Sequence, residues 1–408
     1  MQVIRRLALS ACGMHTADQI AITAVPLVAA VAFEASAEVI GILVAAQALA
    51  HLLGSIPSGL VVDRTQPRRG AIAAATISAT GFAGVAVSIH LQSLIWFGLS
   101  VSVAGFGVVL FVLVALSTIP LVSTAGDIAA ANSSVEIARA VPTLAVPIAI
   151  GLLVDAGLAA GIFALAAASS AGALILAPGI PEFEVPPRET EPVLQTILKG
   201  ARFIAGEPLL RAIAICAIFW NLAFSALLAI LATLLLSTYG APLSAFGIAL
   251  SAFGGAMIAG TWTAGKVSRW LPPGVILIFG PGSSFVAILA LFAMPADGPV
   301  GIIYVIFFAL GFGPSMWMVA QNAIRQLVTP RPVLGCVNAV IQTAIYGIRP
   351  LGALAGGFVA GAVSPGAGVI FVTVAFGLSL AAAVFSPLRS VRSFAGLQGG
   401  SALVDAET

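Results

Sequence analysis

Four charged side chains lie deep within the long apolar runs of this sequence: Asp18, Glu136, Arg139 and Arg349. A charge at the centre of a bilayer costs at least about 2.5–3.5 kcal/mol on the insertion scale, so such residues are kept where they pair, face water or carry function. Two of the four are acids and two are bases, so their charges cancel if all of them face one watery cavity. We interpret them as a charge network that can bind protons or hold a charged solute.

Spacing along the chain indicates what the two acids do. Glu136 and Arg139 are three positions apart, so they share one face of a helix. Two interpretations stay open: an ion pair that stabilises the helix, or a proton- or substrate-binding Glu136 held in place by Arg139. Asp18 lies about 17 Å along the first apolar run at 1.5 Å per residue, near the middle of a bilayer. We expect Asp18 to couple protons or bind substrate, and a buried structural carboxylate is the alternative.

His15 and Arg349 extend this network. His15 precedes Asp18 by three residues and could share its face, either as a histidine with satisfied hydrogen bonds or as a proton relay. Arg349 has no acidic residue within the apolar runs of its half of the chain, so its partner should be an acid of the other half or an anionic substrate. Like His15, other polar groups could line a substrate cavity or bond a neighbouring helix. These are Gln19, Asn221, Gln321, Asn322, Gln342 and Tyr346.

Composition excludes a soluble protein. Of the 408 residues, 60% are apolar and 8% are charged, and the mean hydropathy is +1.13, whereas about a quarter of the residues of a soluble domain are charged. The three cysteines are far apart, and the sequence contains no metal-ligand spacing, nucleic-acid motif or phosphate-binding G-x-x-x-x-G-K-[ST] loop. We therefore expect a protein embedded in the lipid bilayer, with no cofactor, metal, nucleic-acid partner or ATP motor.

Charged, proline and glycine clusters divide the chain into twelve apolar runs, each long enough to cross a bilayer as a helix of about 20 residues. The runs cover 7–32, 38–62, 70–89, 93–121, 131–154, 157–177, 209–237, 243–265, 273–294, 299–328, 334–362 and 366–388. They predict an all-helical membrane protein with twelve transmembrane helices.

One long polar segment, 178–207, separates six runs from six. Its second half, "VLQTILKGARFI", has helical spacing with basic residues on one side, which predicts an amphipathic helix on the membrane surface. We therefore expect an N-terminal bundle over 1–177, a cytoplasmic linker over 178–207, a C-terminal bundle over 208–388 and a cytoplasmic tail over 389–408.

The two halves repeat at a constant offset of 206 residues. This offset places the "GFG" at 105–107 on the "GFG" at 311–313, and Asn132 on Asn338. It also places Gly41, Gly54 and Gly59 on Gly247, Gly260 and Gly265. Two parallel six-helix halves are a transporter architecture, with the pathway near the midplane where the halves meet.

Basic residues predict the orientation. Of the 17 lysines and arginines, 15 lie at connections that twelve crossings place on one side, and the opposite connections carry acids only. Short cytoplasmic loops are rich in Lys and Arg. We therefore expect the protein to lie in the inner or plasma membrane with both termini in the cytoplasm.

The connection between the second and third runs, "GLVVDRTQPRRG", carries four charges in a short space. It resembles the signature loop of the major facilitator superfamily, G-x-x-x-D-R followed by a basic pair. The matching residues are Gly59, Asp63, Arg64, Arg68 and Arg69. The common version has a glycine at the position of Gln66 and a basic residue at that of Pro67, and the chain departs there.

Further phrases resemble the branch of this superfamily that includes macrolide efflux proteins and the enterobactin exporter. They are "TADQIAITAVPLVAAV", "AANSSVEIARAVP", "KGARFIAGEPLLRAIAI" and "VNAVIQTAIYGIRPLGALAGGFVAG". The resemblance covers nearly the whole chain and implies the fold of two pseudo-symmetric six-helix bundles. It also implies that the loop is a cytoplasmic gate, with Asp63 near the start of the helix around Leu334 and with Arg64 or Arg331 as its partner.

These observations predict a secondary transporter and not an enzyme. We expect a monomer that exports a small amphipathic molecule, of drug, macrolide or siderophore type, in exchange for protons by alternating access. Export follows from the resemblance, and proton use follows from Asp18, Glu136 and the missing ATP site. A proton- or sodium-coupled uptake symporter is the first alternative. A membrane-embedded enzyme, for which no nucleophile is placed, and a receptor or flippase-like protein without solute flux are the others.

Overall fold

The computed structural model describes residues 2–122, 128–182, 193–267, 270–394 and 397. Side chains are described at these positions except for 54–64, 116, 120, 128–133, 136–137, 140, 159–160, 193–194, 196 and 331–332.

The described residues form thirteen α-helices and no strand. The helices are α1 (Gln2–Ala32), α2 (Ala37–Arg64), α3 (Pro67–His90), α4 (Leu94–Val122), α5 (Ile128–Asp155), α6 (Ala159–Leu176), α7 (Val193–Gly206), α8 (Pro208–Thr233), α9 (Ser244–Val267), α10 (Pro273–Ala293), α11 (Gly301–Val328), α12 (Arg331–Ala362) and α13 (Pro365–Val384). The twelve apolar runs correspond to α1–α6 and α8–α13, and α7 is the helix expected in the polar linker. A π-helical turn, Leu234–Thr238, extends α8.

Nine of the described helices are long and apolar enough to cross a membrane. They are α1, α3, α4, α6, α8, α9, α10, α11 and α13. Helices α2 and α5 contribute shorter apolar segments, Ala37–Leu53 and Val141–Asp155. Helix α12 is 32 residues long, and Gln342 and Arg349 lie within its apolar sequence.

Proline marks several helix starts. It occupies one of the first two positions of α3, α10, α12 and α13. Its missing N–H costs nothing there, because the first N–H groups of a helix have no partner within the helix. At α13 the hydroxyl of Ser364 also accepts a hydrogen bond from the Ala367 amide at 3.1 Å. Short connections can therefore end one span and start the next.

The chain forms two compact units. The first unit comprises Met1–Glu189 and Leu228–Ser251, and the second comprises Thr190–Leu227 and Ala252–Thr408. The division at 177 and 208 that the polar linker predicts stays a prediction.

Each unit contains the same close helix contact. In the first unit a Cβ on Gly107 of α4 would lie 2.7 Å from the Ala74 carbonyl oxygen of α3. In the second, a Cβ on Gly313 of α11 would lie 3.3 Å from the Gly280 carbonyl oxygen of α10 and would overlap Ser283. Small residues let membrane helices approach closely where no hydrophobic force drives them together. The offset of 206 residues relates the two contacts, so the sequence repeat is a repeat of helix packing.

Within the first unit, the end of α5 contacts the beginning of α9. The Ser251 hydroxyl donates to the Leu144 carbonyl oxygen at 2.9 Å and accepts from the Ile148 amide at 3.1 Å. The hydroxyl therefore bridges the carbonyl and amide groups that one i→i−4 hydrogen bond of α5 would join, beside Pro147. Asp155 Oδ2 accepts from the Ser244 amide at 3.1 Å, in the first turn of α9, where a carboxylate is favoured.

Candidate functional site

A carboxylate and two histidines meet inside the first unit. His51 Nε2 of α2 lies 3.4 Å from Asp18 Oδ1, and His15 Nδ1 lies 3.9 Å from Asp18 Oδ2. The Asp18 and His15 side chains are each 14% exposed and that of His51 is 22% exposed, so solvent screens the three groups little. The structure therefore places His15 beside Asp18, as its spacing on α1 predicts. We call these three residues the Asp–His cluster.

His51 is a residue that the sequence reasoning missed. A signal existed, because a histidine within an apolar run is a candidate for function by default. What the sequence does not reveal is that α2 brings this histidine to the height of Asp18. The ring lies beside Gly105 of α4, where a Cβ would be in ordinary contact with His51 Cε1 at 3.4 Å.

The orientation of the His51 ring follows from its second nitrogen. His51 Nδ1 lies 2.8 Å from the Gln47 carbonyl oxygen, one turn earlier in α2. A carbonyl oxygen only accepts hydrogen bonds, so Nδ1 carries the hydrogen and donates it. Nε2, which points at Asp18, is then the nitrogen that can gain or lose a proton.

Helix α5 adds two groups to this region. His15 Nε2 lies 3.0 Å from the Thr143 hydroxyl, which donates to the Arg139 carbonyl oxygen at 3.1 Å. Gln19 Nε2 is 3.4 Å from the same His15 nitrogen. His15 and Arg139 both line a cavity of about 20 Å³, which by its size accommodates one water-sized molecule. The structure therefore gathers His15, Gln19, Asp18 and Arg139 in one unit, while the Glu136 side chain lies outside the described residues.

The second unit contains a much larger cavity. Its volume is about 430 Å³, within the range of roughly 300–1,000 Å³ that is usual for small-molecule sites. All six polar candidates of the second half of the chain line it: Asn221, Gln321, Asn322, Gln342, Tyr346 and Arg349. Side chains of α8, α9, α10, α11 and α12 form its walls. We call it the second-unit cavity.

Two glycines of α12 place Arg349 in this cavity. A Cβ on Gly352 would overlap the Leu222 carbonyl oxygen of α8, and one on Gly356 would lie 2.7 Å from Ala226 Cβ. The backbones of α8 and α12 are therefore close, and Arg349 Nε donates to Asn221 Oδ1 at 2.9 Å. Asn221 Nδ2 in turn donates to Ala217 O at 2.9 Å, which holds the amide.

A second arginine lines the cavity from α11. One terminal nitrogen of Arg325 donates to Asn322 Oδ1 at 2.6 Å, and Gln321 Nε2 donates to the same oxygen at 2.7 Å. Three buried atoms of this wall have no hydrogen-bond partner among the described residues: Trp317 Nε1, Gln321 Oε1 and Arg325 Nε. Arg325 lies in the last turn of α11, within the apolar run 299–328, but nothing in the sequence marks it as a residue of a cavity.

Aromatic rings cover another wall of the second-unit cavity. Trp220 stacks on Phe224 with centroids 5.0 Å apart, and Phe224 stacks on Phe253 at 4.8 Å. Trp220 Nε1 donates to the Ser284 hydroxyl at 3.0 Å, which fixes the indole. Arg349 Cζ lies 5.3 Å from the ring centroid of Tyr346, within cation–π distance.

The signature loop is described in part. Arg68 donates to Glu182 at 3.2 Å, but both side chains are well exposed, at 37% and 52%. Arg69 is exposed. The side chains of Gly59, Asp63, Arg64 and Arg331 lie outside the described residues. The gate expected at this loop therefore stays a prediction.

The sequence matches a known protein family over most of its length. The sequence model of the Major Facilitator Superfamily matches residues 7–353. The enterobactin exporter EntS of Salmonella typhimurium (strain LT2) is 26% identical over 294 residues, covering 71% of this chain and 70% of that protein. The enterobactin exporter EntS of Citrobacter koseri is 24% identical over 304 residues, covering 74% and 72%.

Solved structures show the same fold. The nucleoside transporter NupG aligns with a TM-score of 0.76 at 13% identity, covering 94% of this chain and 98% of that one. The D-xylose-proton symporter aligns with a TM-score of 0.71 at 14% identity, covering 96% and 99%. A bacterial homologue of the iron transporter ferroportin, in its inward-facing state, aligns with a TM-score of 0.73 at 15% identity, covering 97% and 98%.

Proposed function

Since the chain belongs to the Major Facilitator Superfamily, we propose that it exports a small amphipathic molecule in exchange for protons, by alternating access in the inner membrane with both termini in the cytoplasm. Family and fold confirm the expectation from the signature loop and the twelve apolar runs. The protein is a multi-pass membrane transporter of small molecules and not a membrane-embedded enzyme. The proposal concerns the direction, the coupling ion and the residues that carry them.

Support for export comes from the curated relatives. Those of Salmonella typhimurium and Citrobacter koseri are named enterobactin exporters, at 26% and 24% identity. The structural relatives include a D-xylose-proton symporter on the same fold. Uptake with protons or Na⁺ is therefore the alternative, and a flux experiment separates the two directions.

The contact between Asp18 and His51 is the observation that carries proton coupling. With Nδ1 donating to Gln47, neutral His51 presents a lone pair at Nε2, and ionised Asp18 presents only acceptors. His51 Nε2 and Asp18 Oδ1 attract each other when one proton lies between them, bonded to either the imidazole or the carboxyl group. We assign the transported proton to this pair, with His15 as the second base at Asp18.

Protonation changes the charge of the Asp–His cluster from −1 to 0 while the cluster stays largely buried. Buried charge is costly unless it is paired, so the two protonation states favour different packing around Asp18. The members come from two helices, α1 and α2, and Arg139 of α5 lines the cavity next to His15. Loss of the proton at the cluster would thus shift the equilibrium between the conformations of the transporter.

Reconstituted vesicles test the proposal. Compounds that cells export are first found by a toxicity screen, and their flux is then followed in proteoliposomes with a pH gradient imposed in each direction. We expect accumulation against the direction of proton flow for the wild type and for the control variant His90→Gln, whose side chain is exposed at the end of α3. Asp18→Asn should retain binding and lose the gradient-driven accumulation.

Two results would overturn the proposal. Flux that runs with the proton gradient identifies a symporter. Unchanged gradient-driven flux in Asp18→Asn removes the Asp–His cluster from coupling.

A further inference from the structure

We propose that the second-unit cavity binds organic anions that carry a planar aromatic group. This inference rests on the proposed function, because it names the class of molecule that the transporter moves. It is carried by three features of the described residues: the sign of the charges in the lining, the hydrogen-bonding groups of one wall and the stacked rings of another.

The charges of the lining favour an anion. Arg325 and Arg349 line the cavity, and the lining contains no aspartate or glutamate among the residues that the structure describes. Arginine stays charged at any physiological pH and presents five N–H donors in a plane that matches a carboxylate. The bond from Arg349 Nε to Asn221 uses one of these donors and fixes the plane of the guanidinium group. A cationic ligand would meet two like charges, which is a strong element of selection against it.

The wall formed by α11 contains groups that a ligand can satisfy. Trp317, Gln321 and Arg325 are spaced four residues apart, so they form one row along the helix, with about 6 Å between neighbours. Trp317 Nε1, Gln321 Oε1 and Arg325 Nε are buried without a hydrogen-bond partner among the described residues, and Gln321 as a whole is only 6% exposed. A buried polar group without a partner is destabilising. A ligand with acceptor oxygens and one N–H or O–H donor relieves this, after small rotations of the flexible side chains.

The stacked rings select a flat ligand. Trp220, Phe224 and Phe253 form a continuous stack, with interplanar angles of 17° and 23°. An aromatic ring laid on such a stack gains offset-stacking contacts that a saturated ring of similar size lacks. Met257 and Met318 also line the cavity, and their flexible thioethers adapt to ligands of different outline. The cavity is thus anion-selective through its arginines and ring-selective through its aromatic wall.

Binding of matched naphthalene probes to the full chain in lipid nanodiscs tests the inference. The probes share one ring system and differ in charge: 1-naphthoate, naphthalene-1-carboxamide and 1-naphthylmethylammonium. Titration calorimetry, with empty nanodiscs as the blank for lipid partition, gives the dissociation constants. We expect naphthoate to bind at least about tenfold more tightly than the carboxamide, because a hydrogen bond to a charged group is the stronger one. The ammonium probe should show no saturable binding.

Variants locate the site. Arg349→Gln should weaken naphthoate binding by about ten- to a hundredfold and remove the preference over the carboxamide, while Arg349→Lys should keep part of that preference. Arg392→Gln, an exposed cation outside the cavity, is the matched control and should bind as the wild type does. A thermal melt of each variant shows that it is folded. Trp220→Leu should weaken naphthoate more than cyclohexanecarboxylate.

The inference is wrong if folded wild-type protein shows no saturable naphthoate binding, or binds naphthoate and the carboxamide equally. It is also wrong if Arg392→Gln lowers the affinity as much as Arg349→Gln does. These measurements need no proton gradient. Anion binding without proton-driven efflux would therefore refute the proposed function alone, and proton-driven efflux of other compounds without anion preference would refute this inference alone.

Discussion

Replacing His51 by glutamine separates proton coupling from substrate binding. At an effective dielectric constant of about 20, two opposite charges 3.4 Å apart attract by about 5 kcal/mol, and a pair at the 3.9 Å of His15 by about 4 kcal/mol. Desolvation offsets much of either value. If about 1.4 kcal/mol of the attraction between protonated His51 and Asp18 remains after desolvation, removing His51 changes the proton-binding constant of the cluster tenfold. We therefore expect His51→Gln to lower gradient-driven efflux by at least about tenfold while leaving naphthoate binding unchanged.

The pH profile of efflux is the measurement that a merely structural role would not change. Initial rates are recorded in proteoliposomes over a series of internal pH values, at saturating substrate. The wild type and His90→Gln should show the same dependence on pH, and His51→Gln should show a flatter one. The double variant His15→Gln with His51→Gln should match Asp18→Asn, because residues that act as one unit are not additive. A wild-type pH profile in His51→Gln would refute the reasoning that the proton lies between Nε2 and Asp18.

Three further predictions concern packing and the connections. Gly107→Ala should destabilise the purified protein by about 1–3 kcal/mol in a thermal melt, because its Cβ would lie 2.5 Å from the Ser78 amide nitrogen. Gly105→Ala, two residues away, meets ordinary contacts at 3.4 Å or more and should melt like the wild type; equal losses in the two variants would contradict this packing. Ser251→Ala removes both hydrogen bonds to α5 and should cost about 1–3 kcal/mol, and an unchanged melting temperature would show that the hydroxyl is dispensable. Arg68→Ala should change stability by less than about 1 kcal/mol, since its partner is exposed, and a larger loss would mean that Arg68 has a second role.

Sequence reasoning predicted the helices and the family correctly for physical reasons that are local. A bilayer demands about 20 apolar residues per crossing, and proline and glycine clusters end such runs. The third run was expected to begin at 70, and α3 begins three residues earlier, at Pro67. The helix expected in the linker is the amphipathic α7. The signature loop is likewise a contiguous pattern, which is why "GLVVDRTQPRRG" indicated the superfamily that its sequence model then matched.

The sequence also singled out most polar residues of the Asp–His cluster and of the second-unit cavity, because a polar group in an apolar run stands out. It placed His15 beside Asp18 through helical spacing, since residues three apart share a face. It missed His51, because no local rule relates a position in α2 to the height of Asp18 in α1. For the same reason it did not connect Arg325 with Arg349, although both line the second-unit cavity.

The sequence alone thus indicates a membrane protein with twelve long apolar runs, its family, and the side chains whose burial in a bilayer is costly. Which of those side chains meet is visible only in the folded chain, because it depends on how closely and at what rotation two helices pack. Contacts such as Gly352 of α12 on α8, which holds Arg349 against Asn221, exist only between segments far apart in the chain.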